Sequence, residues 1–311
     1  MSAGTVSRDQ WIETMEPTLL ELFTAGLDKD SDWKKVWIQK KSNKRREEIL
    51  EWRKPDVVVE TPEGSPYVEL SVQKVKTASV VHADYTGMIR ITHQMQRDKQ
   101  YDDMMEHSWG LGESIGRKLY EDAVNFYING FDSVTSPVAS GNAAEPWFYD
   151  AHVLQNGQGF TGSNLLTPQS LSPDSFNSGQ VLMMKTRNEN GKITPYGTGR
   201  LQLIVPADSR RLGLQLTKKG TFEPGNADHN ENVFDIDLVC LPMLAQTSAS
   251  WASTQFFLRD PQMAKNYFFL REGPVFDTFR DPYTDDVVVK ARISYSFLVG
   301  SWRGIVGCKG A

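Results

Sequence analysis

Between Val6 and Gly26 the apolar residues Trp11, Ile12, Met15, Leu19, Leu22 and Phe23 recur three or four positions apart. That spacing predicts an amphipathic helix, with Gly26 as its stop. From Asp56 the period changes to two. Asp56–Glu60 and Tyr67–Val81 read as strands on either side of Thr61, Pro62, Glu63, Gly64, Ser65 and Pro66. Pro fixes φ and Gly permits positive φ, so these six residues are turn chemistry and the whole reads as a long β-hairpin. A lone hairpin is marginal in water, so this one is expected to lie on something else. The strongest helical pattern is Tyr101–Ile128, where Leu111, Ile115, Leu119 and Ala123 fall at i, i+4 intervals. Such a helix is roughly 40 Å long.

After Ser133–Gly162, a Gly-, Ser-, Ala- and Pro-rich loop, a second block begins. Ser172 and Pro173 mark a helix start, running to about Arg187, and Asn188–Gly191 is a turn. Leu201–Val205, closed by Pro206, reads as a buried strand, and Asp208–Lys219 as a helix. Thr221–Asp237 is acidic and holds no Lys or Arg. Ile236–Leu241, Gln255–Leu258 and Tyr267–Leu270 read as short strands, and the alternation over Asp286–Val299 as a long one. No internal repeat interrupts this order.

Composition makes the 311-residue chain an ordinary folded protein, 39% hydrophobic and 23% charged. The net charge of −5 argues against a general nucleic-acid binder. One stretch reverses that sign: Trp33–Lys54 has nine basic residues against three acidic, with Lys40, Lys41, Lys44, Arg45 and Arg46 at its centre. It reads as an arm that faces DNA or an acidic neighbour, or as a solvated face. Cys240 and Cys308 stand apart in no metal-type spacing and read as reduced thiols. Met1–Gln10 lacks the apolar core of a signal peptide, and no apolar run approaches the ~18 residues of a membrane span. A cytosolic origin and no membrane partner are expected.

Chemistry-bearing motifs are few. Gly112-Glu-Ser-Ile-Gly116 fits the GxSxG pattern of a hydrolase nucleophile elbow, with His152 and His229 as later partners. An elbow needs a strand before its Ser, and Ser114 lies inside the longest helical pattern. Gly112 and Gly116, four apart, instead let another backbone come close, and they weaken the helix by roughly 1 kcal/mol each. The histidines His82, His93, His107, His152 and His229 form no metal-type pair. The acidic stretch lacks EF-hand spacing, and there is no phosphate-binding loop. No catalytic, cofactor or metal residue is assigned.

An arm, a projecting hairpin, a long helix, a second domain and a returning strand, in that order, resemble the tailed-phage major capsid proteins of the Hong Kong 97-like fold. The C-terminal half is similar to the major head subunit of Mu-like phages in Ser163-Asn-Leu-Leu166, in Leu203-Ile-Val-Pro206 before a helix, in Tyr267-Phe-Phe-Leu-Arg-Glu-Gly-Pro274 and in Trp302-Arg303-Gly304. The resemblance implies an α+β fold. Residues 1–52 would be the N-terminal arm, 53–82 the extended hairpin loop, and 83–166 the peripheral domain with its spine helix over 101–128. Residues 167–273 would be the axial domain, with 274–311 returning to the peripheral one. It further implies a subunit that assembles with itself into hexamers and pentamers of an icosahedral shell. A separate scaffolding protein, a portal, a decoration protein and non-specifically held packaged DNA would be its partners. It would assemble in the host cytoplasm and reside in the virion. Lys74 and Lys76 lie where some members cross-link, but no motif identifies a partner Asn. An encapsulin-like nanocompartment of the same fold is the alternative reading, and a serine hydrolase using Ser114 the third.

Overall fold

The computed structural model describes residues 8–53, 60, 62–64, 66, 69, 72–98, 100–132, 145–154, 161–194, 196–217, 236–246 and 249–310. In chain order, helix α1 (Arg8–Asp28) leads to strand β1 (Ile38–Lys41). Strands β2 (Arg46–Arg53) and β3 (Gln73–Val81) follow, then β4 (Ala83–Ile91), a short helix α2 (His93–Arg97) and helix α3 (Tyr101–Ile128). The second half runs β5 (His152–Val153), β6 (Thr161–Gly162), β7 (Leu165–Leu166), α4 (Pro173–Met184), β8 (Leu201–Val205), α5 (Arg210–Thr217) and β9 (Ile236–Cys240). It ends with β10 (Phe256–Arg259), β11 (Asn266–Arg280), β12 (Val287–Val299) and β13 (Ile305–Cys308).

Two sheets organise the molecule. The first is four-stranded, in the order β1-β11-β12-β4. β11 and β12 form a long antiparallel pair, and β1 joins β11 in parallel. Helix α3 lies on this sheet and shares one core with it: Leu111, Ile115, Leu119, Ala123 and Tyr127 pack with Trp33, Trp37, Phe268, Val289, Ile293 and Phe297. Ring contacts such as Trp37 to Phe297 at 4.8 Å and Trp33 to Phe268 at 4.9 Å knit that layer. On the far side of the sheet Phe269 and Leu298 pack with Ala78, Ile49 and Val80 of the β2–β3 hairpin. This second layer explains why β12 is buried without alternation over its C-terminal half, and it is what supports the hairpin.

Helix α1 packs along α3. The glycines make that approach: a Cβ added at Gly112 would lie 2.1 Å from the carbonyl oxygen of Phe23, and one at Gly116 2.6 Å from that of Leu27. Gly26, predicted as a helix stop, instead sits within α1, where an added Cβ would meet the carbonyl oxygen of Trp109 at 2.3 Å. Leu19 and Phe23 thereby reach the main core.

The second sheet is five-stranded, in the order β7-β13-β10-β8-β9. Leu166, Phe176, Met183, Leu203, Leu258 and Val306 belong to its separate core. Ser172 caps α4 as predicted, its hydroxyl accepting from the Ser175 amide while Ser175 Oγ accepts from the Ser172 amide. α4 stops at Met184 rather than near Arg187, because the chain then folds back on itself through an Arg187–Ile193 bridge, with Gly191 at φ 81°.

Several strands cross the boundaries drawn from sequence. The hairpin starts at Arg46, inside the stretch read as an arm. β11 enters the four-stranded sheet at Asn266 and runs through Arg280, well beyond the predicted Tyr267–Leu270. β13, expected to return to the spine-helix layer, is inserted between β7 and β10 of the five-stranded sheet, where the H-bond ladders fix it. The predicted strand Asp56–Glu60 apart from Glu60, the tip residues Thr61 and Ser65, and nearly all of Thr221–Asp237 lie outside the described residues.

Candidate functional site

The β2–β3 hairpin pairs from Arg46↔Val81 to Arg53↔Gln73, with one irregularity at Glu51/Trp52. Beyond it, Pro62, Glu63, Gly64 and Pro66 of the predicted tip are exposed, and Gly64 takes φ 83°, a backbone state that suits Gly. The hairpin also shows apolar surface: Trp52 is 50% exposed, and Leu50, Val72 and Val81 are exposed too.

Its root is pinned by buried polar groups. His82 stands between β3 and β4, and its amide donates to the Arg45 carbonyl at 3.3 Å. Its ring nitrogens reach Ser296 Oγ on β12 at 3.0 Å and Ser42 Oγ at 3.2 Å. The Ser42 hydroxyl donates to the Glu47 carboxylate. It therefore accepts from His82 Nε2–H, leaving Nδ1 to accept from Ser296: a neutral imidazole satisfied on both sides. Burial pushes its pKa below the usual histidine value, against the opposing pull of Glu47.

Further out, Glu51 of β2 turns inward. Arg303 donates to Glu51 Oε1 at 3.1 Å, to Glu189 Oε1 at 2.7 Å and to the Arg187 carbonyl at 2.8 Å. Ser301 Oγ donates to the same Glu51 oxygen at 3.2 Å. Arg53 donates to Asn190. One guanidinium thus ties the hairpin to the turn after α4.

The predicted basic residues divide. Lys40 and Lys41 lie in β1, opposite Phe269 and Leu270, with Lys40 Nζ 4.1 Å over the Tyr267 ring. Lys44 and Arg45 occupy the link to β2, and Arg46 donates to Ser79 Oγ at 2.7 Å across the hairpin. All five side chains are exposed. They are built into the sheet edge and hairpin root, not carried on a separate arm, because β1 completes the β11 ladder.

Ser114 lies mid-helix, its Oγ donating to the Leu111 carbonyl at 3.2 Å. No strand leads into it. His152 is fully buried elsewhere, stacked on Trp302 at 4.5 Å and bonded to Asn164, and His229 lies outside the described residues. The elbow geometry is not formed. Among the described residues no group of three or more His, Cys, Asp or Glu side chains could hold a metal, and no helix is long and apolar enough to cross a membrane. Burial raises the pKa of both thiols, Cys240 and Cys308.

Sequence reasoning missed a second projection, the turn joining β11 to β12, where Tyr283 is 95% exposed. The Asp281-Pro282 pair beside it was the available signal.

Residues 76–307 match the family of phage capsid proteins. The chain belongs to that family. No curated protein sequence matches it. Among solved structures, the virus-like particle from Pyrococcus furiosus superposes with a TM-score of 0.54 at 10% identity, over 94% of this chain and 98% of that one. The bacteriophage PhiM1 mature capsid gives 0.53 at 12% identity, over 88% and 84%. The Cyanophage Pam1 capsid gives 0.54 at 12% identity, over 88% and 89%. At such identities these likenesses show the fold alone: it is the α+β, Hong Kong 97-like capsid fold that the resemblance implied. The family match places this capsid protein with phage shells, so the nanocompartment alternative is the weaker one.

Proposed function

We propose that this phage capsid protein is the major head subunit of a tailed, double-stranded-DNA phage of the Mu-like kind, a structural subunit and not an enzyme. Copies join as hexamers and pentamers in an icosahedral shell around the genome, assembled in the host cytoplasm and retained in the virion. The observation that carries this reading is the hairpin. It is anchored at its root by His82 and Arg303, carries exposed Trp52 and Val72, and has more surface than one copy can cover. Its tip, Thr61 to Pro66, meets a different patch on the next copy, a heterologous contact that closes by rotation. Permanent interfaces of this kind bury on the order of thousands of Å². The spine helix is Tyr101–Ile128, and the five-stranded sheet forms the axial domain that meets other copies. A scaffolding protein, a portal, a decoration protein and packaged DNA, held through non-specific phosphate contacts, complete its partners.

Deleting Thr61 to Ser65 tests the reading. The expected result is a folded subunit that no longer forms closed shells by negative-stain electron microscopy, while the full chain does. Normal shells from the deletion would sink the role given to the hairpin.

A further inference from the structure

The turn between β11 and β12 is unusually well tied for a surface feature. The Asp281 amide donates to the Asp286 carbonyl and the Asp285 amide to the Asp281 carbonyl, both at 2.9 Å. The Tyr283 amide donates to Asp281 Oδ1 at 3.0 Å. Arg90, from the neighbouring β4, reaches Asp281 Oδ2 at 3.1 Å, Thr284 Oγ1 at 3.1 Å and Asp286 Oδ2 at 3.2 Å. The His93 amide donates to Asp286 Oδ1 at 2.9 Å, and Arg280 pairs with Asp285 at 2.7 Å. Asp285 is held at φ 60°, the one non-glycine residue with positive φ among those described.

All of this order presents one side chain, and that side chain touches almost nothing: Tyr283 is 95% exposed. The subunit alone gains no stability from the ring. A rigid, pre-placed aromatic is instead what an interface uses as an anchor, because little ordering entropy remains to be lost on docking. The surroundings also give it a preference. Three carboxylates, Asp281, Asp285 and Asp286, pair with two guanidinium groups, Arg90 and Arg280, which leaves the turn one negative charge in excess. An exposed ring on a turn with that excess attracts a cation over its face.

This chain exposes such cations at Lys40, Lys41, Lys44, Arg45 and Arg46, and Lys40 already sits over a tyrosine ring within the subunit. The two surfaces cannot meet within one copy. β1 pairs with β11 no further along than Leu270, whereas the turn begins after Arg280. Ten residues of strand separate them, roughly 33 Å. A contact between them would have to join two copies, and since the two patches differ it would be head-to-tail and propagate around a ring.

We propose that the Asp281–Asp286 turn is a second, rigid docking element, its Tyr283 ring seated on the basic Lys40–Arg46 segment of a second copy. The inference rests on the capsid-subunit reading but concerns a contact separate from the β2–β3 hairpin.

The test uses the full chain with its neighbouring genes, in three forms: unchanged, Tyr283→Ala, and with a photoreactive benzoyl-phenylalanine at position 283. The Tyr283→Ala subunit is expected to melt as the unchanged one does, yet to need about tenfold more protein to form shells, the loss typical of an aromatic anchor. Illumination of shells should join position 283 to residues 38–46 of another copy, and added salt should lower both assembly and yield of that product. Shells that form equally well with Tyr283→Ala, or a cross-link that maps to any other surface, to DNA or to another protein, would overturn this contact and leave the capsid reading standing. An unchanged chain that stays monomeric under every condition would overturn the capsid reading and the contact together.

Discussion

At Arg303 one guanidinium bridges two carboxylates that are almost out of solvent, with side-chain exposures of 8% for Glu51 and 5% for Glu189, and Lys265 adds a longer 4.0 Å contact to Glu51. Removing the cation while leaving the acids is the costly way to break such a cluster, because an uncompensated buried charge remains. Arg303→Met is therefore expected to lower unfolding free energy by about 3–5 kcal/mol in a denaturant titration. At His82 the sign runs through proton linkage. Its folded pKa lies below the unfolded value of about 6.5, so the unfolded chain binds more protons in the window between the two. The stability tied to the neutral ring is fully present above that unfolded value and is lost as pH falls through the folded one. Amide protection factors over β3, with the intrinsic pH dependence of exchange divided out, should fall as pH drops through the ordinary histidine range, and His82→Gln should flatten that dependence. Protection factors that are flat with pH in the unchanged protein would refute the pin.

Among elements, the α1–α3 contact is set by glycines. Gly112→Ala adds helix propensity worth roughly 1 kcal/mol but drives a methyl group into the Phe23 carbonyl. Overpacking of that kind costs typically 1–3 kcal/mol, so a net loss is expected in thermal melting, with α1 the first segment to exchange. A variant more stable than the unchanged chain would mean the helices part without cost. Helix α3 was legible to the residue, because 28 positions of consistent 3.6-residue periodicity admit one reading. The close helix contact was legible too, from Gly112 and Gly116. β2 was not: five of the eight residues of Arg46–Arg53 are charged, and its inward face carries Glu47, Ile49, Glu51 and Arg53 while Leu50 and Trp52 point outward, so no apolar alternation marks it, and the Lys40–Arg46 cluster looked like an arm for the same reason. The outer half of β11 was hidden by Gly273 and Pro274, ordinary turn residues that the sheet absorbs at register shifts between Leu270 and Val275. The contacts of Arg303 with Glu51 and Glu189 span 252 and 114 positions, and no local pattern could announce them.

For the molecule as a whole, two separate acid responses are built in. The His82 pin is lost as pH falls below the ordinary histidine value. The Asp281 and Asp286 carboxyls are held below the usual carboxylate range, chiefly by the amides of Tyr283 and His93 with help from Arg90. Their folded pKa is depressed, so what they contribute is present above about pH 4 and lost as pH falls through the lower folded value. Shell assembly followed by light scattering should therefore fall in two steps on acidification, the first abolished by His82→Gln and the second shifted upward by Arg90→Ala. A single step untouched by both substitutions would show that neither site governs the response.

The placement of β13 has a consequence for biogenesis. β10 is the middle strand of its sheet, and one of its two ladders is supplied only by residues 305–308. While these remain inside the ribosome, β10 has a bare edge and Leu165–Leu166 has no strand to pair with. A nascent subunit thus keeps an unfinished five-stranded sheet until Cys308 has emerged, so that sheet closes only after nearly all of the other described strands have been made.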